Sequence, residues 1–205
     1  MQNATPKRVL LTAEERREQL LDVTTELVLE RGFHEVSIDA VAKNAGITRA
    51  VVYQHFDDLS DLLHAVVDRE TARALEQVSR TALPDLSTGD ARQLMLESVS
   101  AYIEAVQSNP RTWKLVLMPP EGAPGQLRKS ISAGRALVLD QLTSAVRPIL
   151  AETTDAELTA SVLSSIADHY ARLALTRPEQ FPPDRLLAHA DWLVEGFLRD
   201  AIGKS

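Results

Sequence analysis

The sequence predicts an all-α protein, in which a small N-terminal domain of three helices precedes a larger helical domain, with about nine helices in total. Three observations favour this class. Apolar residues recur at the three- and four-residue spacing of helices along most of the chain. No stretch combines period-two alternation with enrichment in β-branched residues, so we expect no sheet. Cap residues, glycines and prolines divide the helical pattern into separate segments.

Composition limits the kinds of protein that the sequence can encode. The 205 residues include no cysteine, which excludes disulfides, thiolate zinc sites and a cysteine nucleophile. The formal net charge of −7 does not favour nucleic-acid binding. A chain with this net charge can still carry a local basic face that binds nucleic acid. The chain has no apolar run long enough to span a membrane and no secretory signal at its start. We therefore expect a soluble, cytoplasmic protein.

The first helix is predicted over residues 13–31. Thr12 and Glu15 have the spacing of a capping box, in which each side chain accepts a hydrogen bond from the backbone N–H of the other residue. Gly32 then ends the helix in the way that a left-handed C′ residue does. Residues 1–10 show no helical pattern, and we expect them to form a flexible arm.

Two short helices follow the first one. Ser37 is the N-cap candidate of the second helix, which Gly46 closes. Thr48 caps the third helix after a three-residue turn, and this helix runs to about His55.

The rest of the chain contains longer helical segments. A fourth helix is predicted from the acidic, cap-like segment 57–61 to about Ala82, where Pro84 stops it. Residues 119–125 hold three prolines and two glycines and must form a loop. The remaining predicted helices cover residues 90–108, 111–118, 126–150, 155–177 and 184–202.

Residues 37–56 carry the most informative pattern. Two short helices joined by a tight turn that contains Gly46 have the arrangement of a helix-turn-helix. Apolar residues such as Val41 and Phe56 are placed to lock both helices against the first helix. The second helix of the motif is short, so its N-terminal residues would meet base edges in the major groove of DNA.

Several short elements follow one another in a fixed order within residues 13–70. They are Glu30-Arg31-Gly32-Phe33, Val36-Ser37-Ile38, Val41-Ala42, Ala45-Gly46-Ile47-Thr48, Val52-Tyr53, His55-Phe56 and Leu62-Leu63. With these elements, residues 13–70 resemble the N-terminal DNA-binding domain of the TetR family of transcriptional repressors. The remainder of the chain resembles the family only in its length and helical character. The resemblance implies a DNA-binding domain over residues 1–57 and a ligand-binding and dimerisation domain over residues 58–205.

The resemblance also indicates which residues contact DNA. Tyr53 and His55 match positions that contact phosphates, and the amide of Gln54 can bond adenine bidentately. Two alternatives stay open: Tyr53 packs against the first helix, and His55 or Lys43 is an ordinary surface residue. Lys7 and Arg8 of the arm either reach the DNA or are solvated charges of a mobile terminus. The expected contacts are Ser37, Lys43, Thr48, Arg49, Ala50, Val51, Tyr53, Gln54 and His55.

The sequence departs from the family pattern at the start of the fourth helix. Lysines are frequent there in the family, whereas this chain has Asp57 and Asp58. Residues 1–60 contain seven basic and ten acidic residues, a balance of −3. We therefore expect weak non-specific DNA binding with a shallow salt dependence, because few phosphates would be neutralised.

The second half of the chain suggests a dimer interface and a ligand pocket. Apolar stripes on the last two predicted helices are wider than one core contact requires, so one face of each helix is available to a second copy. The alternative is that both helices are buried within one subunit. The expected interface residues are Leu158, Val162, Ile166, Leu186, Leu193 and Phe197. The expected pocket residues are Met95, Tyr102, Trp113, Leu117, Met118 and His169, for each of which ordinary core packing is the alternative.

Together with these patterns, the resemblance to the TetR family implies a dimeric repressor that binds a palindromic DNA operator and is released by a small-molecule effector. A first alternative is a helical ligand-binding or protein-interaction module that has lost DNA recognition. A second is an enzyme in the C-terminal bundle, although the sequence has neither an H-E-x-x-H motif nor a G-x-S-x-G nucleophile elbow. We expect no catalysis, no metal site and no cofactor.

Overall fold

A computed structural model describes residues 11–81 and 83–202, and within this part of the chain every regular element is helical. The prediction of an all-α fold is confirmed. Lys7 and Arg8 lie outside the described residues. The α-helices are α1 (Ala13–Arg31), α2 (Ile38–Ala45), α3 (Arg49–Tyr53), α4 (Leu59–Arg80), α5 (Ala91–Ser108), α6 (Pro110–Leu117), α7 (Gly125–Val146), α8 (Ala156–Thr176) and α9 (Pro183–Ile202). Single 3₁₀ turns at Phe33–Glu35, Leu86–Thr88 and Arg147–Ile149 were not predicted.

The chain forms two compact units. The first contains the residues up to Val67 together with Pro120–Gly122. The second contains Asp68–Pro119 and the chain from Ala123 onward. Helix α4 contributes its first turns to the first unit and its remainder to the second.

Helix α1 begins at the predicted capping box. The backbone N–H of Thr12 donates to Glu15 Oε2 at 2.8 Å, and the N–H of Glu15 donates to Thr12 Oγ1 at 3.2 Å. Gly32 ends the helix with φ 84° and ψ 166°, so its φ is positive but its conformation is not the left-handed helical one that we expected. The N–H of the next residue, Phe33, donates to the carbonyl of Glu121 at 3.0 Å, which explains the extended ψ at Gly32.

Helices α2 and α3 follow the predicted cap signals. Ser37 Oγ accepts from the backbone N–H of Ala40 at 3.2 Å, and Gly46 has the left-handed conformation with φ 68° and ψ 32°. Thr48 is the N-cap residue of α3, although its side chain makes no capping hydrogen bond. The side chains that close the core of this unit are Leu20, Leu21, Val28, Phe33, Val41, Ala42, Val52, Phe56, Leu62 and Val66.

The acidic segment before α4 is a cap, as predicted. Asp58 Oδ1 accepts from the backbone N–H of Asp61 at 2.8 Å, and Asp61 Oδ2 accepts from the N–H of Asp57 at 3.1 Å. These bonds satisfy backbone donors at the helix start that have no partner within the helix. The carboxylates therefore have a structural reason to occupy these positions.

The second unit is built from α5 to α9 and the remainder of α4. Its apolar side chains form three clusters, centred on Met95 and Val146, on Ile103 and Tyr170, and on Trp113. Glu70 of α4 is buried at 1% exposure, where its carboxylate pairs with Arg69 at 2.7 Å and accepts a hydrogen bond from the Thr112 hydroxyl.

Candidate DNA-binding surface and ligand cavity

Helix α3 presents most of its side chains to solvent. Val52 is fully buried and fixes the helix on the core of the first unit, while Val51 and His55 are half-buried. Phe56, which follows the helix, is 2% exposed and packs beneath the guanidinium of Arg17 at 4.9 Å from its ring centroid. The exposed residues of this segment are Thr48, Arg49, Ala50, Tyr53 and Gln54.

The exposed face of α3 is polar, with one cation at its centre. Arg49 Nε lies 3.3 Å from Asp39 Oδ1 of α2, and both side chains are well exposed. A hydrogen bond with Tyr53, followed by the charge of Asp39, raises the pKa of Arg49. The ring of Tyr53 is 48% exposed, which disfavours the alternative that it packs away against α1. An arginine and a tyrosine hydroxyl are thus adjacent on the surface that follows the turn.

Helix α2 directly precedes α3 in the chain, and its N-terminus offers a second candidate contact with DNA. Ser37 and Lys43 are exposed, as their expected roles require. Free backbone N–H groups of the first helical turn favour an anion such as phosphate. Asp57 and Asp58 are exposed as well, so their negative charges remain in solvent even though the carboxylate of Asp58 caps α4.

The second unit encloses a cavity of about 830 Å³ among α4 to α9. Most of its lining is aliphatic or aromatic. Of the six pocket residues that the sequence suggested, Met95, Tyr102, Trp113 and Leu117 line this cavity. Trp113 donates from Nε1 to Gln77 Oε1 at 2.7 Å, and its ring meets that of Tyr102 edge-on with centroids 5.1 Å apart.

Two expected pocket residues lie elsewhere. Met118 packs against the cluster around Trp113 but does not line the cavity. His169 is exposed and lines a shallow groove between α8 and α9, because its position on α8 faces away from the cavity. His189 lines the same groove, and its Nδ1 is 2.7 Å from the hydroxyl of Tyr170.

The charged residues of the cavity were not among those predicted from the sequence. Asp68 of α4, Arg135 of α7 and Asp168 of α8 all line it. The available signal was weak but present, because Arg135 and Asp168 each interrupt a run of small and apolar residues on a long helix.

The expected dimer residues divide into exposed and buried groups. Leu158 is 63% exposed and Val162 is 52% exposed, so both are available to a partner. Leu186 is 3% exposed because it packs in the cluster around Ile103, so it is not available to a partner as we expected. Trp192, which the sequence analysis did not select, is 67% exposed on α9. The other three expected residues, Ile166, Leu193 and Phe197, are half-buried.

The residues that the structure describes lack two further features. No helix among them is long and apolar enough to cross a membrane. No group of three or more histidine, aspartate or glutamate side chains among them is arranged to hold a metal ion.

Comparisons with known proteins agree with this architecture. Residues 20–66 match the family described as bacterial regulatory proteins, tetR family. The HTH-type transcriptional activator FasR of Mycolicibacterium smegmatis is 33% identical over 106 residues, which are 52% of this chain and 47% of FasR. The chain thus matches about half the length of this curated relative.

Solved structures extend the likeness to the whole fold. A TetR-like transcriptional regulator from Rhodococcus sp. RHA1 superposes with a TM-score of 0.69 at 22% identity, over 92% of this chain and 98% of that one. SmeT, the repressor of the Stenotrophomonas maltophilia multidrug efflux pump SmeDEF, superposes in its triclosan complex with a TM-score of 0.63 at 25% identity, over 88% of this chain and 90% of SmeT. The chain thus contains a helix-turn-helix segment, residues 20–66, that matches the tetR family of bacterial regulatory proteins, and the fold of the chain is that of solved TetR-like regulators.

Proposed function

We propose that the protein is a non-enzymatic, cytoplasmic transcriptional regulator that binds a palindromic DNA operator as a homodimer and is released from it by a small molecule. The observation that carries the proposal is the surface of α3. Val52 and Phe56 anchor this segment in a closed core, and the polar residues Thr48, Arg49 and Gln54 remain exposed. A short helix displayed in this way can enter the major groove, where arginine and glutamine side chains distinguish base pairs.

The dimer is supported by the apolar surface of α8 and α9. Leu158, Val162 and Trp192 are each more than half exposed, and large apolar side chains are usually exposed together only where another molecule covers them. We assign a second copy of this chain as the partner, since a two-fold dimer would place two α3 helices on half-sites about 34–36 Å apart. Light scattering of the purified protein should give twice the chain mass. The Leu158→Asp variant should be mostly monomeric, because the dimer would bury two carboxylates, one from each subunit.

Release by a small molecule is supported by the cavity of the second unit. Its volume of about 830 Å³ lies within the range of about 300–1,000 Å³ typical of ligand pockets. SmeT, which has the same fold, was solved with triclosan bound. A ligand that weakens DNA binding by some factor must itself be bound more weakly by that factor when DNA is present. We therefore expect the ligand to lower the affinity for DNA, and DNA to lower the affinity for the ligand, although the two bind at different sites.

We propose that the protein represses transcription of the genes that it regulates. FasR is an activator and SmeT is a repressor, so relatives of both signs exist. A reporter gene placed behind the recovered operator tests the sign. Higher reporter output in cells that lack the protein supports repression, and lower output supports activation.

The decisive experiment is the selection of bound duplexes from a random DNA library at one stated salt concentration. We expect a palindrome to be enriched. The double variant Thr48→Ala, Gln54→Ala is the matched control, because it removes the two exposed side chains that flank α3 without touching the core. Failure of the folded, dimeric wild-type protein to enrich any sequence would refute DNA recognition.

The alternative of a ligand-binding module without DNA recognition rests on one observation. Asp57 and Asp58 leave exposed carboxylates where the family often has lysines. The carboxylate of Asp58 accepts from the backbone N–H of Asp61 at the start of α4, which gives this residue a structural role and weakens the alternative. A dimer that binds a small molecule but enriches no duplex would favour it.

A further inference from the structure

The cavity of the second unit contains one polar cluster in a largely apolar lining. The hydroxyl of Tyr102 donates to Asp168 Oδ1 at 3.1 Å, and Arg135 Nη2 donates to Asp168 Oδ2 at 3.4 Å. Arg172 Nη1 lies 3.9 Å from the same oxygen. Tyr102, Arg135 and Asp168 come from α5, α7 and α8, and all three line the cavity. We call these three residues and Arg172 the polar cluster.

The polar cluster carries a net positive charge. One carboxylate faces two guanidinium groups, which leaves one positive charge uncompensated. Burial first, and the nearby Asp168 charge second, raise the pKa of Tyr102, so the phenol stays neutral and acts as a donor. Asp68, which also lines the cavity, accepts a hydrogen bond from the side-chain amide of Gln126 at 2.7 Å.

Arg135 has donors to spare for a ligand. Its guanidinium carries five N–H donors, and the one hydrogen bond found for it among the described residues is long, at 3.4 Å. Its side chain is 58% exposed, whereas that of Asp168 is 23% exposed and already accepts from two groups. A guanidinium in this setting suits a carboxylate, which it can bind through two parallel hydrogen bonds.

The rest of the lining suits an aliphatic chain. The apolar lining includes side chains from four helices and from the segment after α4, among them Leu83, Met95, Leu142, Leu163 and Phe197. Leu75 and Leu137 also line it and are about half exposed, so the apolar surface continues to where the cavity opens. Each methylene buried there strengthens binding by about fourfold.

We propose that the cavity binds a single-chain amphipathic carboxylate, with the Arg135 guanidinium on the head group and the aliphatic chain against the apolar lining. Asp168, held by Tyr102, is a positioning residue that orients Arg135. A cationic head group would be repelled by Arg135, because Asp168 is already compensated. A polyanionic head group would bring several negative charges to Arg135, the one basic residue among the described residues that line the cavity.

This inference rests on the ligand-responsive function proposed above, and its test is separate from DNA binding. The affinities of the delipidated, full-length protein for dodecanoate, dodecanol, dodecyltrimethylammonium and dodecanoyl-coenzyme A are measured by calorimetry below their micelle concentrations. We expect dodecanoate to bind more tightly than dodecanol by about 10- to 100-fold, which is the range for hydrogen bonds to a charged group. Tightest binding of the ammonium or coenzyme A compound would overturn the proposal.

Two variants separate head-group binding from a structural role. Arg135→Met should reduce the dodecanoate affinity to about that of dodecanol and leave the dodecanol affinity within about twofold, since only the charged contact is removed. Arg147→Met changes an exposed arginine that does not line the cavity and should alter neither affinity. Equal loss of both affinities in Arg135→Met would show a structural role and overturn the assignment.

The outcomes also distinguish this inference from the proposed function. A protein that enriches a palindrome but binds none of the four compounds retains the regulator function and loses the ligand class. A protein that binds dodecanoate through Arg135 but enriches no duplex retains the ligand class and loses DNA recognition.

Discussion

The two compact units use their apolar residues in different ways. The first unit closes its core completely, with Leu20, Val41 and Val52 all at 0% exposure. The second unit leaves a cavity of about 830 Å³ in the middle of its longest helices. Close packing holds a unit in one well-ordered conformation. The side chains that line an open cavity lack van der Waals contacts on one side, and a bound molecule can supply them. The first unit is thus built to display a surface and the second to receive a molecule.

The largest effect that tests this contrast is expected at Phe56. The Phe56→Ala substitution should destabilise the first unit by about 3–5 kcal/mol, because a large aromatic side chain is lost from a closed core. Hydrogen exchange should therefore speed up in residues 13–66. The Tyr53→Ala control removes a half-exposed ring from the same segment and should weaken DNA binding with a change in stability of less than about 0.5 kcal/mol. Similar destabilisation by both substitutions would contradict the closed core.

A second pair of substitutions compares how the two interiors accept added volume. Ala42→Leu should destabilise the first unit by about 1–3 kcal/mol, because its closed core has no space for three more carbon atoms. Ala167→Leu lines the cavity and should change the free energy of unfolding by less than about 1 kcal/mol, because the new side chain enters open space. Urea denaturation measures both values.

The same pair gives a functional measurement. Ala167→Leu should weaken ligand binding while it leaves the recovered operator and its affinity unchanged. Ala42→Leu should weaken operator binding and leave ligand binding unchanged. If Ala167→Leu were the more destabilising of the two, the second interior would be as closed as the first.

A third effect concerns how the first unit distinguishes DNA sequences. Gln54→Ala should weaken binding to the selected operator by about 1–3 kcal/mol, the range for a bidentate base contact, and should hardly affect random DNA. Lys43→Ala should weaken binding to both and lower the salt-dependence slope by about 0.9, because one phosphate contact is removed. Fluorescence anisotropy at several salt concentrations measures both. Equal losses on operator and random DNA in Gln54→Ala would remove its base-contacting role.

The contrast between the units also explains what could be predicted from the sequence. Caps and turns are local signals, so the capping box at Thr12, the cap at Ser37 and the left-handed Gly46 were all placed correctly. The cavity depends on which faces of α4 to α9 meet, and helical spacing alone does not specify the pairing of helices. For this reason Arg135 and Asp168 were missed, and Leu186 was assigned to the wrong face.

The smallest expected effect settles the role of the carboxylates before α4. Asn caps helices about as well as Asp, so Asp58→Asn should leave stability within about 0.5 kcal/mol, whereas Asp58→Ala should cost about 1 kcal/mol through loss of the bond to the Asp61 N–H. Both substitutions remove one negative charge and should raise the affinity for random DNA by less than about 1 kcal/mol at physiological salt, as exposed charges do.

The two measurements together separate the cap from the charge. If Asp58→Asn destabilised the protein as much as Asp58→Ala, the ionised carboxylate itself would matter to the helix start. If Asp57→Asn and Asp58→Asn both left DNA affinity unchanged, the acidic segment would lie too far from the phosphates to repel them. A gain in affinity from Asp58→Asn at constant stability would instead show that this unit keeps a helix cap at the expense of non-specific DNA binding. Specificity would then rest on Gln54 and its neighbours on α3.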